Sequence, residues 1–245
     1  MICTENITNN WYTGNDKSML LVNAIFRAGG AACLLTTGAF PQNKYRLVDV
    51  ERTHLGHDDA AFRCMGQAYD PASDSLGVFL RKNVGEVAAK AVRMNLERLG
   101  PRVLPLKNSL RVALAKVAFS LSSSSSFSSS SSSAEKKRSL EPQPDFERCF
   151  AQVYPHAGGP AVLDAMQRSL RLSDDKMRPS RATWASHGNL SSASTFYAMA
   201  FAESQPGGIK KRDRALSIGL GGCFKAGTVV WEAERDIREV HEAWT

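Results

Sequence analysis

Apolar and polar positions follow two different periods along the first part of the chain. Residues 44–53 alternate between apolar and polar side chains, which predicts a strand with one exposed face. The apolar run 29–37 predicts a strand buried on both faces. Residues 83–100 repeat apolar side chains at helical spacing, and Gly100 followed by Pro101 predicts the end of that helix.

The remainder of the chain continues this succession of helices and strands. Proline is tolerated in the first turn of one predicted helix, and serines that can cap a helix open another. A glycine-rich turn joins the last two strands. Alternating strands and helices indicate an α/β protein. The predicted elements are a basic amphipathic helix over 105–119, a strand ending near Tyr154, helices over 158–172 and 191–204, and strands over 214–220 and 226–234.

A serine tract interrupts the pattern. Residues 120–144 contain little apolar surface and end in a basic run and two prolines. Such a segment cannot bury enough apolar area to offset the entropy lost on ordering, which predicts a disordered insert. It divides the chain into two folded segments, 1–119 and 145–245.

Composition narrows the class of protein. The chain has 245 residues, of which 43% are hydrophobic, enough for one large domain or two smaller ones. A net charge of +7 favours acidic partners such as phosphorylated ligands, but the basic runs lack the interleaved aromatic residues of a nucleic-acid-binding module. Five scattered cysteines without a CxxC pair argue against a disulfide scaffold and a zinc site. No apolar run reaches the roughly 18 residues of a membrane-spanning helix.

Two turns contain candidate catalytic residues. His156, in the sequence HAGGP, stands where a predicted strand ends and a helix begins. Gly158 and Gly159 remove side-chain bulk beside it, and free N–H groups at the helix start add positive potential. Asn189, in GNLSS, offers an amide donor before another helix. Two such donors can converge on an oxygen that gains negative charge, although each residue alone is also compatible with a structural turn.

The turn between the last two strands is a third candidate. Its sequence, GLGGCFK, contains Gly221 and Gly222. Glycine in a hairpin supplies the positive φ that a tight turn needs. Alternatively, its bare backbone lines a pocket and lets a ligand approach closely. The sequence alone leaves both interpretations open.

Six motifs occur in order along the chain: TENITNNWYTGNDKSM, KYRLVDVERTHLGHDD, NLERLGPRVLPL, HAGGPAVLD, GNLSSAS and GGCFKAGTVVWEA. Together they resemble the plant-type 3-ketoacyl-CoA synthases, the condensing enzymes of very-long-chain fatty acid elongation and relatives of the chalcone synthases. The resemblance implies a thiolase-like αβαβα layered fold, present in part. Segment 1–119 would hold the end of the amino-terminal half and the start of the carboxy-terminal half, and 145–245 would hold the remainder.

The resemblance also implies a decarboxylating Claisen condensation of a long-chain acyl-CoA with malonyl-CoA. In that family a histidine and an asparagine stabilise the enolate formed when CO₂ leaves, and His156 and Asn189 match these positions. His54 matches another family histidine, which is either a phosphate contact for CoA or a structural residue. No cofactor or metal is implied beyond the CoA thioester substrates. The glycines implied to line the substrate site are Gly158, Gly159, Gly221 and Gly222.

The family's acyl-carrying cysteine lies upstream of the segment that begins here at Thr4. The resemblance therefore implies an amino-terminally truncated member without its nucleophile; Cys223 is expected near the pocket but does not follow the family motif. Two alternatives remain: a non-catalytic relative that dimerises with a complete synthase, and a type III polyketide synthase-like enzyme. The family also implies a homodimer at the endoplasmic reticulum membrane, with other elongase subunits and no nucleic acid as partners.

Overall fold

A computed structural model describes residues 1–123 and 144–245 of the chain. The strands are β1 Ile2–Glu5, β2 Gly29–Ala32, β3 Tyr45–His54, β4 Met65–Asp70, β5 Ser75–Leu80, β6 Gln152–Pro155, β7 Arg214–Gly221 and β8 Lys225–Ala233. The α-helices are α1 Lys17–Ile25, α2 Asp59–Phe62, α3 Val84–Val103, α4 Leu106–Ser123, α5 Phe146–Cys149, α6 Pro160–Leu170, α7 Asp174–His187 and α8 Ser194–Ser204. Short 3-10 helices cover Ile7–Asn10, Ser191–Ala193 and Glu242–Trp244.

The central feature is a four-stranded mixed sheet in the order β3-β8-β7-β6. Its strands alternate apolar residues between two faces, so both faces are packed. Val153, Leu216 and Val230 lie in the larger core cluster with α3 and α6. Tyr154 and Ala215, their neighbours in sequence, lie in a second cluster with α8. The result is a helix–sheet–helix arrangement, which confirms the predicted α/β class.

The long helix α3 differs from its prediction at its carboxyl end. Its apolar stripe is buried as expected, but the predicted stop at Gly100 and Pro101 is wrong because the helix continues to Val103. The Arg102 guanidinium donates to the carboxylate of Asp49 at 2.9 Å, and the Val103 side chain is buried. These tertiary contacts hold the final turn, which a proline would otherwise weaken.

The apolar run 29–37 is not a doubly buried strand, so that prediction is wrong. Only Gly29–Ala32 form a strand, which pairs antiparallel with β1 in a separate two-stranded sheet. Leu34 and Leu35 follow it and are 95% and 58% exposed. Half-buried and exposed residues alternate along β2, so only one face of the strand is packed, and the apolar residues beside it need not be buried.

The pattern of apolar and polar residues does not predict α1, the β4–β5 hairpin or α7. Helix α7 is polar and contains Pro179, so it lacks a clear apolar stripe. Ser173 caps it by accepting a hydrogen bond from the Lys176 N–H at 3.3 Å. The Lys176 ammonium also donates to the carbonyl oxygens of Phe150 and Ala151 at 2.7 Å. Local capping and tertiary contacts therefore form this helix without an amphipathic pattern.

The predicted helix over 105–119 is confirmed and reaches Ser123 as α4. The rest of the predicted serine insert, 124–143, lies outside the described residues. Across 1–123 and 144–245, the helices are too short or too polar to cross a membrane.

Strand direction brings three chain segments to one end of the sheet. Strand β8 is antiparallel to both β3 and β7, and β6 is parallel to β7. The carboxyl ends of β3, β6 and β7 therefore point the same way. His54 ends β3, His156 follows β6, and Gly221 ends β7. The histidine turn and the glycine-rich turn thus share this end of the fold.

Candidate active site

His156 continues the pairing of β6 by one residue. Its N–H donates to the carbonyl of Ile218 at 2.8 Å. Alternation along the strand places its side chain on the same face as Tyr154, toward α8. Only 9% of the residue is exposed. The sheet therefore fixes the imidazole in the layer between β6 and α8.

Burial determines the charge of this imidazole. It lowers the pKa of His156 to about 4, because the protonated ring would lose its hydration in the interior. The ring is therefore neutral at pH 7 and carries one N–H donor and one acceptor nitrogen. Among the residues that the structure describes, none forms a hydrogen bond with this ring. Its N–H is available to a ligand.

Main-chain hydrogen bonds hold Asn189 against the segment after α1. Its N–H donates to the carbonyl of Ile25 at 2.9 Å, and its carbonyl accepts from the Arg27 N–H at 2.9 Å. Gly188 makes the preceding turn with a φ of 72°, and a Cβ there would lie 2.8 Å from Arg27 Cγ. Glycine is thus required at 188 both for its φ and for the close approach.

The side-chain amide of Asn189 has a fixed orientation. Its Oδ1 accepts from the N–H of Ser191 at 2.8 Å, and Ser191 adopts a left-handed φ of 52°. Because that N–H needs an acceptor, the amide oxygen faces Ser191 and the NH₂ group faces away. Nδ2 lies 3.5 Å from the carbonyl oxygen of Gly158, a long contact that leaves its N–H groups available.

The two candidate donors meet at Gly158. The Asn189 amide faces the carbonyl of this glycine, as described above. A Cβ added to Gly158 would lie 3.0 Å from Cδ2 and 3.3 Å from Nε2 of His156. Both side chains thus flank one residue, although α6 and α7 separate them in sequence. Two neutral donors so placed can bind a single oxygen on which negative charge develops.

The glycines of the HAGGP turn serve different purposes. Gly158 leaves room for the His156 ring, but its N–H donates back to the His156 carbonyl at 2.8 Å. This N–H is therefore not among the free donors, which the sequence predicts at the start of the following helix. Gly159 has a φ of 141°, which favours glycine, and its carbonyl accepts the first helical hydrogen bond from Leu163.

Gly221 and Gly222 lie apart from this pair. Strand β7 continues for three residues after Ile218, which carries the turn roughly 10 Å beyond the level of His156. A Cβ on either glycine would meet open space. Neither has a positive φ; the left-handed residue of the turn is Cys223, with a φ of 66°. The β7–β8 hairpin itself is confirmed, but Cys223 rather than a glycine supplies the positive φ of its turn.

Two sizeable cavities lie away from the pair. One of about 900 Å³ lies between α8 and residues 30–47, and one of about 720 Å³ lies between the start of α1 and the end of β5. Neither His156 nor Asn189 lines them. Hydrogen bonding and burial, rather than cavity size, identify the candidate site.

The residues that hold the His156–Asn189 pair in place give little signal in the sequence. Ile25 and Arg27 bind Asn189 through main-chain groups that every residue except proline carries in full, so their side chains give no signal. Ser191 orients the amide through its N–H, and serine does not favour the left-handed conformation that it adopts here. Only the GNLSS context could have suggested a turn at this point.

Two family models match consecutive parts of the chain. The model of the FAE1/type III polyketide synthase-like proteins matches residues 1–120, and that of the chalcone and stilbene synthase C-terminal domain matches residues 135–232. The protein 3-ketoacyl-CoA synthase 2 of Arabidopsis thaliana is 41% identical over 241 residues. This alignment covers 97% of the chain and 43% of that protein. The chain belongs to the 3-ketoacyl-CoA synthase family.

Two other 3-ketoacyl-CoA synthases align with the chain in the same way. The protein 3-ketoacyl-CoA synthase 11 of Arabidopsis thaliana is 41% identical over 245 residues, covering 99% of this chain and 45% of that protein. Probable 3-ketoacyl-CoA synthase 20 of Oryza sativa subsp. japonica is 40% identical over 240 residues, covering 97% of this chain and 43% of that protein. The chain therefore spans a little less than half the length of these 3-ketoacyl-CoA synthases.

Solved structures confirm the predicted fold. PKS-I of the brown alga Ectocarpus siliculosus superposes with a TM-score of 0.59 at 16% identity, over 95% of this chain and 52% of that one. The C-terminal type III polyketide synthase domain of Steely1 from Dictyostelium superposes with a TM-score of 0.63 at 14% identity, over 95% and 53%. This family member thus contains about half of a thiolase-like fold.

Proposed function

We propose that this chain is part of a condensing acyltransferase of fatty acid elongation. The reaction joins a long-chain acyl thioester to malonyl-CoA, releases CO₂ and gives a 3-ketoacyl-CoA. The observation that supports it is the meeting of the His156 imidazole and the Asn189 amide at Gly158.

The two donors stabilise the decarboxylation step. As the bond between the malonyl methylene carbon and the carboxylate breaks, its electron pair forms the carbon–carbon double bond of an enolate. Negative charge moves to the thioester oxygen, which accepts hydrogen bonds from His156 and Asn189. Because the site is buried, these hydrogen bonds are stronger than they would be in water. The enolate carbon then attacks the acyl thioester and displaces its thiolate.

The neutral state of His156 suits this role. A ring with a pKa of about 4 keeps a donor N–H at pH 7 without carrying a charge. A neutral donor binds the enolate oxygen without protonating it, so the carbon remains nucleophilic. The Ser191 N–H keeps the amide NH₂ of Asn189 turned toward the same oxygen.

The acyl group is carried on a cysteine that, by the family resemblance, belongs to a segment preceding Thr4 in the complete enzyme. Substrates are then acyl-CoA and malonyl-CoA, and the working unit is a homodimer with other elongase subunits at the endoplasmic reticulum membrane. Identity of about 40% to 3-ketoacyl-CoA synthases, against 16% or less to the polyketide synthases, favours elongation over polyketide formation.

The test joins the preceding portion of Arabidopsis thaliana 3-ketoacyl-CoA synthase 2 to this chain and measures formation of 3-ketoacyl-CoA from long-chain acyl-CoA and malonyl-CoA. The hybrid should be active, whereas the 245-residue chain by itself should not condense the substrates. His156→Ala or Asn189→Ala should lower malonyl-CoA decarboxylation by roughly 10²- to 10³-fold, the scale for one oxyanion donor.

The matched control is His57→Ala, which removes an exposed histidine and should leave the rate unchanged. Circular dichroism of each variant establishes that it is folded. If His156→Ala and Asn189→Ala both retain the hybrid's decarboxylation rate, the assignment of the site is wrong. A hybrid that dimerises but forms no product would instead indicate the non-catalytic relative.

A further inference from the structure

Helix α4 presents a row of leucines to solvent. Leu106, Leu110 and Leu114 recur every four residues and are 74%, 54% and 71% exposed. At about 100° per residue they lie within about 80° of one another, and the row extends roughly 12 Å along the helix axis. We refer to these three residues as the α4 stripe. Large aliphatic side chains grouped on one exposed face indicate a contact surface.

The opposite side of α4 is attached to the rest of the protein. Asn108 lies about 160° around the helix from Leu110. Its side-chain amide donates to the Sγ of Cys149, at the end of α5, at 2.8 Å. Leu104, two residues before the helix, is buried in the larger core cluster. The helix is therefore held at one side, and the α4 stripe faces outward.

Basic residues flank the α4 stripe. Lys107 and Arg111 lie about 60° and 100° around the helix from Leu110, and both are exposed. Neither forms an ion pair with a residue in 1–123 or 144–245. Residues 105–119 contain three basic residues and no acidic one. The surface beside the leucines is therefore positively charged.

We propose that α4 binds the anionic lipid surface of a membrane. The α4 stripe lies among the upper parts of the acyl chains, and its two basic neighbours contact the lipid phosphates. A helix with leucines on one face and basic residues beside them lies in the plane of such a surface, because apolar burial and charge attraction act together. This inference goes beyond the proposed function, since it requires neither the candidate active site nor condensation.

A second copy of this chain is a poorer partner for the α4 stripe. Pairing two α4 helices face to face would bring their basic residues together, and residues 105–119 provide no carboxylate to pair with them. Like charges placed against each other at an interface are unfavourable. An anionic lipid surface supplies the opposite charge.

Another exposed apolar region provides the competing location on this chain. Ile2, Leu34 and Leu35 lie in or beside the β1–β2 sheet and are exposed. Residues 29–42 contain no charged residue, so the two leucines there have no basic neighbours in sequence. The α4 stripe is preferred because exposed leucines and basic side chains occur together on one helix.

The first experiment measures sedimentation of the 245-residue chain with phospholipid vesicles. The chain should bind vesicles of phosphatidylcholine with about one third phosphatidylserine, and should bind pure phosphatidylcholine vesicles at least roughly tenfold more weakly. Changing the stripe by Leu106→Gln, Leu110→Gln and Leu114→Gln together should weaken binding to the anionic vesicles roughly 30-fold or more. Glutamine is a good helix former and leaves the net charge unchanged, so this loss reports the apolar contact.

A pair of charge variants tests the basic neighbours. Lys107→Gln with Arg111→Gln should weaken binding to the anionic vesicles roughly tenfold or more. The matched control is Lys210→Gln with Lys211→Gln, which removes the same charge from another exposed segment and should weaken binding about twofold at most. Equal losses in the two double variants would show attraction by net charge alone and overturn the proposal.

The matched control for the leucines is Ile2→Gln with Leu34→Gln and Leu35→Gln. It removes the competing apolar region and should leave binding to the anionic vesicles unchanged. The proposal is overturned if the unaltered chain does not bind these vesicles, if the α4 leucine variant binds them equally well, or if this control loses as much binding as that variant. Thermal unfolding verifies that each variant is folded.

Two further measurements distinguish other occupants of the stripe and separate this inference from the proposed function. In sedimentation velocity without vesicles, the unaltered chain and the α4 leucine variant should have the same oligomeric state. A variant that dissociates and still binds vesicles would assign the stripe to a second copy and overturn the proposal. His156→Ala should bind vesicles like the unaltered chain while lowering decarboxylation in the hybrid, so failure of the site leaves the membrane contact standing, and the converse also holds.

Discussion

Replacing His156 with glutamine should make the stability of this chain less sensitive to acid. Burial lowers the pKa of the folded imidazole to about 4, whereas the ordinary value is 6.5. Between these two pH values the unfolded chain binds a proton that the folded chain does not. Stability is therefore fully present above pH 6.5 and is lost as the pH falls to about 4, where both states are protonated.

The expected magnitude follows from the gap between the two pKa values. A shift from 6.5 to about 4 corresponds to about 3 kcal/mol of unfolding free energy lost between pH 7 and pH 4. Carboxylates contribute a similar trend: the Arg102 guanidinium holds the pKa of Asp49 below its usual range, and the Lys90 ammonium does the same for Asp58. These contributions are common to both proteins, so the difference between wild type and His156→Gln isolates the histidine.

The assay is urea unfolding at closely spaced pH values for both proteins. The wild-type free energy of unfolding should fall about 3 kcal/mol more than that of His156→Gln between pH 7 and pH 4. An NMR titration, with the ring resonance assigned by its loss in the variant, should give a pKa near 4. Parallel stability curves, or a ring that titrates near its ordinary value, would refute the claim that a buried neutral imidazole serves as the donor.

Three further changes test the packing around the site and the sheet. Asn95→Leu should lower the free energy of unfolding by about 3 kcal/mol, since two buried groups and one partly buried carbonyl lose a hydrogen bond. Thr53→Val, which removes a buried hydroxyl that has no partner among the described residues, should not lower it. Gly158→Ala should displace the ring of His156, whose Cδ2 would be 3.0 Å from the new Cβ, and lower decarboxylation in the hybrid. Ser191→Pro removes the N–H that orients the site's amide and should lower that rate, whereas Ser191→Gly keeps the N–H and should not. Chemical denaturation tests the first pair, and an unchanged decarboxylation rate would contradict either of the others.

About half of the helices and strands could be predicted, because the signals of those elements are local. Periodicity directly indicates which side chains face the core, as in the alternation of residues 44–53 and the helical spacing of residues 83–100. Predictions failed where contacts with residues distant in sequence determine the structure. Strand β2 has an exposed face because only its other face packs, against Leu190, and α3 continues past Pro101 because Asp49 binds the last turn. Neither contacting residue is adjacent in sequence, so a short stretch of sequence around either element does not reveal these contacts.

The chain's sequence by itself determined the α/β class and the positions of a histidine and an asparagine at two turns before helices. Only the tertiary structure decided that these two side chains flank Gly158 and that the amide turns its nitrogen toward it. It also decided that His156 is neutral, because burial, not residue type, sets the pKa. Periodicity is a property of neighbouring residues, whereas convergence and desolvation depend on strand order and on packing between elements far apart along the chain.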